Sequence, residues 1–291
     1  MNEVRLATRF DRQRPRLRAV AYRILGSVTE ADDAVQEAWL RLQRTDAEQL
    51  DSLERWLTTV VARICLNMLR SRRTRGEQPL DGLRPEPIID DPAVGTDPEH
   101  EALLADGVGI ALQVVLETLS PAERLAFVLH DMFAVPFDEI AAMVDRSPQA
   151  TRQLASRARR RVHGAAPAPD PDLSRQRAVV DAYFAAAREG DLDALVAVLD
   201  PTVVLRAHRR DGDPVELRGA SRVAQGAMSA RRFAPYVRPA LINGAAGVVA
   251  FDGELPFAVL AFTVVRDRAV AIDVFNDPEP VAKLDIRGIT A

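Results

Sequence analysis

Five arginines and no acidic residue occupy residues 147–162, SPQATRQLASRARRRV. On a helix that turns about 100° per residue, these residues divide into an apolar and a polar side. The apolar side carries Thr151, Leu154, Ala155, Ala158 and Val162, and the polar side carries Gln149, Gln153, Ser156 and Arg160, flanked by Arg152 and Arg157. Arginine donates two hydrogen bonds to guanine, glutamine pairs with adenine, and flanking positive charge neutralises phosphate. The pattern predicts a helix that reads the major groove of DNA, and a merely solvated charged face is the alternative.

The segment before this helix supplies the elements that would position it. LSPAER, residues 119–124, predicts a helix with Ser120 as N-cap and Pro121 in its first position. FDEIAAMV, residues 137–144, predicts a second short helix, which a break at Asp145 and Arg146 separates from the basic helix. Ser147 is the expected N-cap of that basic helix. Two helices joined by a short turn predict a helix-turn-helix.

Residues 1–75 show helical spacing of apolar side chains in three segments. The first ends at Gly26, a predicted C-cap, and the second covers residues 29–42 with Thr29 as its expected N-cap. The third covers residues 53–73 and runs into RSRRTR at 70–75. This part of the chain is therefore expected to be an all-α unit with a basic end.

The bulk composition excludes several classes of protein. The formal net charge is −4, with 47% hydrophobic and 27% charged residues, as in ordinary soluble proteins. No apolar run approaches the roughly 20 residues of a membrane span, and the start of the chain is too charged for a signal peptide. Cys65 is the single cysteine, so neither a disulfide framework nor a zinc cluster is expected. We expect a cytoplasmic protein without metal or cofactor and without a membrane partner.

Two proline-rich segments divide the chain. Residues 76–110 hold nine acidic residues against one arginine, and five prolines within 76–100 make regular structure unexpected there. HGAAPAPDPD, residues 163–172, is a second predicted linker. After it, residues 175–201 predict two helices joined at Gly190, followed by β-type runs at 202–208, 214–219, 247–253, 256–265 and 268–277. Helices followed by a sheet predict a separate α+β domain.

The two helical stretches resemble the RNA polymerase sigma factors of the sigma-70 superfamily, extracytoplasmic-function group. RPRLRAVAYRILGSVTEADDAVQEAWLRLQR with LERWLTTVVARICLNMLRSRRTR resembles sigma region 2, and the stretch from LETLSPAERLAF to SRARRRV resembles sigma region 4. The resemblance implies two all-α domains, a function in promoter-specific initiation, and core RNA polymerase and promoter DNA as partners. The expected division is 1–75 for region 2, 76–100 for an acidic linker, 101–163 for region 4, 164–174 for a second linker and 175–291 for a C-terminal domain.

The resemblance also implies roles for individual residues. The second helix would dock on the clamp helices of the β′ subunit through Asp32, Asp33, Val35, Gln36, Glu37 and Trp39, and an ordinary amphipathic helix with a capped, acidic start is the alternative. The third helix would meet the −10 element through Arg63, Asn67, Arg70, Arg72 and Arg73, and the loop at 45–52 would hold a flipped base. Region 4 would bind the β flap and read the −35 element through Arg152, Gln153, Ser156 and Arg157.

Residues 175–285 resemble the SnoaL-like domain, a curved antiparallel sheet wrapped by helices into a cone with an internal pocket. Some extracytoplasmic-function sigma factors carry this domain in place of a separate anti-sigma protein, so the resemblance implies regulation in cis. The subgroup has a proline-bracketed linker motif, of which Pro85, Glu86 and Pro87 remain here, and an Asp-Gly motif, which Asp211 and Gly212 match in part. Candidate pocket residues for a small-molecule ligand are Tyr183, Arg206, His208, Asp252 and Asp273.

Two other functions stay open from the sequence. A helix-turn-helix repressor or activator would explain residues 120–163 but leaves 10–75 without a role. A pocket enzyme with a DNA-binding region would explain the C-terminal domain, but no motif there dictates a reaction, and fold alone does not give function. We therefore expect a protein that is not an enzyme.

Overall fold

The computed structural model describes residues 3–46, 50–75, 85–93, 103–104, 109–165, 169–208, 215–277, 281–284, 286 and 289. The chain divides into two units. The first comprises Met1–Gln78, Pro98–Asp106 and Gln113–Ala165, and the second comprises Pro79–Asp97, Gly107–Leu112 and Ala166–Ala291. Much of the predicted acidic linker therefore belongs to the second unit. No helix among the described residues is long and apolar enough to cross a membrane.

Apart from the first three residues of the fourth helix, which belong to the second unit, the helices of the two predicted DNA-binding regions lie in the first unit. Their bounds are α1 Glu3–Leu25, α2 Val28–Gln43, α3 Leu53–Arg75, α4 Ile110–Glu117, α5 Pro121–Phe127, α6 Phe137–Val144 and α7 Pro148–Ala165. A π-helical turn, Val128–Met132, continues α5. Helix α1 packs against α2 and α3, and α7 packs against α5 and α6. The predicted all-α character of this part of the chain is confirmed.

The turn between α1 and α2 corrects one predicted cap. Gly26 has a φ of 72° and ends α1 as expected, with its N–H donating to the Tyr22 carbonyl at 2.8 Å. Ser27, not Thr29, is the N-cap of α2, because its backbone is extended and its hydroxyl accepts from the Glu30 N–H at 3.4 Å. Helix α2 therefore begins two residues earlier, since the left-handed glycine places the next residue at the cap position.

The caps of the helix-turn-helix are as predicted. Ser120 caps α5 with Pro121 in the first turn, and Glu123 completes a reciprocal capping box. Asp145 adopts a left-handed conformation, with φ 55°, and ends α6. The Ser147 hydroxyl then accepts from the Ala150 N–H at 3.2 Å at the start of α7. These local signals confirm the helix-turn-helix and its predicted break.

In the part of the second unit that the structure describes, three helices lie beside a seven-stranded sheet. The helices are α8 Leu173–Glu189, α9 Leu192–Val198 and α10 Ala220–Ser229, followed by a 3₁₀ turn at Arg231–Tyr236. The strands are β1 Ile89–Asp90, β2 Leu199–His208, β3 Val215–Arg218, β4 Val237–Ile242, β5 Ala245–Asp252, β6 Leu255–Val265 and β7 Arg268–Phe275. Their order is β1-β4-β5-β6-β7-β2-β3. The α+β class and the five predicted strands are confirmed.

The sheet differs from the predicted antiparallel sheet in one parallel pairing and in two strands that the sequence did not predict. Strands β2 and β7 run parallel, whereas the other described pairings are antiparallel. A parallel neighbour requires a long connection, and here the chain between β2 and β7 supplies it. Strand β4 escaped prediction, and so did β1, which lies in the segment expected to lack regular structure. Prolines before Ile88 exclude helix but are compatible with an edge strand, so their presence did not exclude β1.

One face of the sheet packs on α8 through an aromatic cluster. The rings of Tyr183 and Phe262 meet edge to face at 5.3 Å, and those of Tyr183 and Phe184 at 5.2 Å. Val203, Phe262 and Ile272 supply buried apolar side chains from the strands. Because side chains alternate along a strand, the neighbouring residues of β2 and β7 lie on the opposite face.

Candidate nucleic-acid interface

Helix α7 presents the predicted polar side to solvent. Thr151, Ala155 and Ala158 are fully buried against the helices before them. Five exposed side chains, which we call the polar strip, face away from these residues: Gln149, Arg152, Gln153, Ser156 and Arg160. The amphipathic division predicted from the sequence is therefore the division that the fold produces.

Arg157 lies at the edge of the polar strip and is held by the scaffold. Its guanidinium pairs with Glu123 of α5 at 3.2 Å, and Arg161 pairs with the same carboxylate at 3.2 Å. Burial alone would raise the pKa of Glu123, but hydrogen bonds from Ser120 and the charges of Arg161 and Arg157 lower it below its ordinary value. Arg159 is likewise paired with Asp131. Glu123 is thus an ionised residue that ties α7 to α5, and sequence reasoning missed it.

Arg152 has a different neighbour. Its guanidinium carbon lies 5.6 Å from the centroid of the Phe137 ring, at the start of α6. The His130 ring stacks on the same phenylalanine, with centroids 3.7 Å apart and an interplanar angle of 27°. Among the described residues, no ion pair joins Arg152 or Arg160 to a carboxylate. The arginines of α7 therefore fall into two groups, one paired with carboxylates and one exposed without such a pair among the described residues.

Helix α3 carries a second exposed row. Arg63, Asn67 and Arg70 are exposed and share one side of the helix, and the exposed Arg73 flanks them. Arg72 lies on the opposite side, where it pairs with Glu30 and donates to the Leu25 carbonyl at 3.3 Å. Four of the five predicted −10 residues thus share a surface, and Arg72 connects α3 to the α1–α2 turn instead. Residues 47–49 of the predicted base-holding loop lie outside the described residues.

Helix α3 also contacts the helix-turn-helix within the first unit. The Arg63 guanidinium donates to the Ala142 carbonyl at 2.9 Å, and Arg55 pairs with Glu139 at 3.0 Å. Both partners belong to α6. One predicted −10 residue is therefore engaged by the first helix of the helix-turn-helix.

The predicted polymerase-docking residues of α2 divide by exposure. Asp33 and Gln36 are exposed, and Leu40 extends the same stripe with 39% of its surface exposed. The remaining four residues have partners inside the domain. Val35 is buried, Trp39 packs on Phe10 at 4.9 Å, Asp32 accepts from Arg18 at 2.6 and 3.0 Å, and Glu37 pairs with Arg41 at 2.9 Å. The sequence signal for Leu40 is its spacing from Asp33 and Gln36.

Three of the five candidate pocket residues meet on one face of the second unit's sheet. His208 Nε2 lies 3.0 Å from Asp273 Oδ1, and Arg206 Nη1 lies 3.5 Å from the same oxygen. Asp273 is fully buried, and His208 also stacks on Phe275 at 4.6 Å. Tyr183 lies on the other face, where burial raises the pKa of its hydroxyl, and Asp252 is exposed at the end of β5.

The second unit also contains a cavity that is separate from these candidate pocket residues. It has a volume of about 360 Å³ and is lined by Val196, Leu199, Pro201, Arg218, Gly219, Ala220, Ser221, Arg222 and Arg268. None of the five candidate pocket residues lines it. The described residues contain no group of His, Cys, Asp and Glu side chains suited to a metal ion.

The linker motif is anchored to the edge of the sheet. Pro85 and Pro87 are buried, and strand β1 pairs with β4 through Ile89 opposite Ile242. The Ile88 N–H donates to Asn243 Oδ1 at 2.9 Å, and the Asn243 N–H donates to the Ile88 carbonyl at 2.8 Å. Sequence reasoning missed Asn243, although Asn-Gly at 243–244 is a strong hairpin signal. Asp211 and Gly212 lie outside the described residues.

Comparisons with known proteins agree with both DNA-binding regions. The family model described as Sigma-70 region 2 matches residues 10–75, and the one described as Sigma-70, region 4 matches residues 110–162. The extracytoplasmic-function (ECF) RNA polymerase sigma factor SigJ of Mycobacterium tuberculosis is 39% identical over 95% of this chain and 90% of its own. The probable ECF RNA polymerase sigma factor SigI of the same organism is 34% identical over 91% of each chain.

A solved structure extends the agreement to the whole fold. The crystal structure of Mycobacterium tuberculosis SigJ matches with a TM-score of 0.75 and 33% identity, covering 97% of this chain and all of that one. Its match includes the C-terminal sheet domain as well as the helical regions. The chain belongs to the extracytoplasmic-function sigma factors, which bind core RNA polymerase and direct transcription initiation at specific promoters.

Proposed function

We propose that the polar strip of α7 contacts the −35 element of the promoter. The observation that carries this assignment is the division of α7 into a fully buried side and an exposed strip of glutamine, serine and arginine. Such side chains match base edges in the major groove. Arg157, which Glu123 holds at the edge, reaches a phosphate rather than a base.

We further propose that Arg63, Asn67, Arg70 and Arg73 contact the −10 element. They form an exposed basic row on α3, as a positive track for a single strand requires. Arg72 stabilises the packing of α3 on the α1–α2 turn. Asp33 and Gln36 of α2 meet the β′ clamp helices together with Leu40, and region 4 meets the β flap.

Transcription with core polymerase tests these assignments. Core enzyme that lacks a sigma factor should initiate at the cognate promoter only when the chain is added. Gln153→Ala and Ser156→Ala should reduce initiation, whereas Gln225→Ala, an exposed residue of α10, should not. Initiation at the wild-type level by both strip variants would contradict the −35 assignment.

We infer that the C-terminal domain modulates activity in cis by holding the linker. Residues 85–90 lie between the two DNA-binding regions, and their last two residues, Ile89 and Asp90, form an edge strand of the sheet. In sigma factors this segment threads through polymerase channels, so the strand pairing competes with engagement of the polymerase. The hydrogen bond from Arg63 to the Ala142 carbonyl would also oppose promoter binding, because it occupies a side chain that we propose contacts the −10 element.

Asn243 offers a direct test of this regulation. Its φ of 49° suits glycine or aspartate, so Asn243→Gly removes the oxygen that accepts from Ile88 without backbone strain. The variant should bind core polymerase more tightly and transcribe more than the wild type. Asn243→Asp keeps an acceptor oxygen and should behave as the wild type. Equal activity of all three chains, together with unchanged activity of a chain ending near Pro167, would exclude regulation by the domain.

We propose no catalytic role for the C-terminal domain. Arg206, His208 and Asp273 pair with one another, while Tyr183 and Asp252 lie apart from them. A small-molecule ligand would more readily occupy the 360 Å³ cavity than this buried cluster. The proposed place of action is the cytoplasm, where the polymerase works.

A further inference from the structure

Phe137 and His130 form an aromatic platform beneath Arg152. The Arg152 guanidinium carbon lies 5.6 Å from the Phe137 centroid, a distance at which a cation is attracted to the ring face. His130 stacks on Phe137 at 3.7 Å. Helix α7 therefore carries an arginine whose neighbour belongs to α6, the other helix of the helix-turn-helix.

The platform is itself fixed by the backbone. His130 lies in the π-helical turn Val128–Met132, and its Nδ1 donates to the Val135 carbonyl at 3.0 Å. The Val135 N–H donates in turn to the Leu129 carbonyl at 2.9 Å. Turns of this kind are rare in proteins and frequently occur at functional sites. The π-helical turn and the loop after it thus set the orientation of the His130 ring against Phe137.

An aromatic support suits an arginine that must recognise a base. A carboxylate uses the N–H groups of the guanidinium and brings a negative charge close to DNA, as Glu123 does for Arg157 and Arg161. A ring contacts only the flat face of the guanidinium, so the N–H groups at its edge remain able to pair with guanine. Restricting a long, flexible side chain before it meets DNA also lowers the entropic cost of binding.

We propose that Phe137 is a positioning residue that orients Arg152 for base recognition in the −35 element, with His130 fixing the ring. This inference rests on the proposed contact between the polar strip and DNA. It adds a specificity-determining residue outside the recognition helix, and it assigns a function to the His130–Phe137 stack.

A double-mutant cycle in the reconstituted holoenzyme tests the proposal. The equilibrium dissociation constant for a promoter fragment is measured for the wild type, Phe137→Leu, Arg152→Ala and the double variant. An exposed cation–π contact is worth about 0.5–1 kcal/mol, so Phe137→Leu should weaken binding about two- to fivefold. The double variant should bind no more weakly than Arg152→Ala, because the ring then has no guanidinium to orient. Phe137→Tyr keeps the ring face and should restore wild-type affinity.

Arg160 supplies the matched control, since it belongs to the same strip but has no described aromatic neighbour. The effects of Phe137→Leu and Arg160→Ala should therefore be additive, whereas a purely structural role of Phe137 would make both cycles additive. Additivity of Phe137→Leu with Arg152→Ala would overturn the inference, and so would unchanged binding by Phe137→Leu alone. If Arg152→Ala itself binds promoter as tightly as the wild type, the proposed DNA contact fails as well, which separates the two failures.

Discussion

Two arginine-containing regions of this chain differ in whether their charged side chains are exposed or buried. On α7, the arginines are at the surface, and Arg157 and Arg161 share one carboxylate at the edge of the polar strip. On β2 and β7, Arg206 and His208 converge on Asp273, whose side chain is fully buried. The exposed side chains of α7 remain accessible to solvent, whereas the charged groups of the buried cluster pair with one another inside the domain.

The difference shows that exposure, rather than residue type, separates a binding surface from a structural cluster. A buried charge must be neutralised within the protein because desolvation is costly. An exposed arginine is already solvated and can exchange water for phosphate or base. Both regions were candidate sites from their residue types, and substitutions in them should have different effects on stability and on DNA binding.

The largest effect is expected at Asp273. Asp273→Ala leaves Glu216, at 3.5 Å, as the one acidic partner of the buried Arg206 among the described residues, so the C-terminal domain should lose about 3–5 kcal/mol of unfolding free energy. Chemical denaturation of the variant measures the loss, and Asp252→Ala, at an exposed strand end, serves as the control. A loss below about 1 kcal/mol would show that the cluster is not structural and would reopen a ligand role for it.

A smaller effect is expected on the DNA side, where Arg152 and Arg157 should differ. Arg152→Ala should weaken promoter binding by about 1–3 kcal/mol and relax selectivity at one base pair. Arg157→Ala should weaken binding to all sequences alike and lower the salt dependence by about one counterion. Titrations at several salt concentrations with altered −35 sequences distinguish them. A sequence-independent loss for both variants would show that the strip binds only the backbone.

The smallest effect concerns the carboxylate that ties α7 to α5. Glu123→Gln retains the capping box but removes the charge facing Arg157 and Arg161, whose side chains are about half exposed. The variant should lose about 1 kcal/mol of stability at neutral pH. Because the folded-state pKa is lowered, this stability is present above the ordinary value of 4.5 and disappears as the pH falls through the folded pKa. Denaturation curves of the two chains should therefore converge in acid, and a constant difference would assign the effect to packing.

Local signals predicted the helical half of the fold. Gly26, Ser120 and Ser147 cap helices as expected because each cap depends on a few neighbouring residues. The same holds for the exposed side of α7, since a helix determines which side chains share a face. The Thr29 cap was misplaced by two residues because Ser27 offers the same chemistry nearer to the glycine.

Contacts between distant residues were beyond prediction. The pairing of β1 with β4 joins residues more than 150 positions apart, and the parallel contact of β2 with β7 depends on the order in which strands enter the sheet. Single-sequence patterns report periodicity, which is short-ranged, and they carry no information on which surfaces meet. Strand β4 was missed for a different reason: its hairpin with β5 is a local contact, and Asn243-Gly244 is a sequence signal for it that was overlooked.

The amino-acid sequence by itself determined the helix-turn-helix, its caps and the arginine-edged strip, because helical periodicity and capping depend on residues a few positions apart. Only the tertiary structure decided which arginines face outward freely, which carboxylate holds Arg157, which ring supports Arg152 and where the linker docks. Those outcomes follow from the packing of helices and strands that are remote in the chain, and packing assigns a partner to each side chain only once the fold is complete.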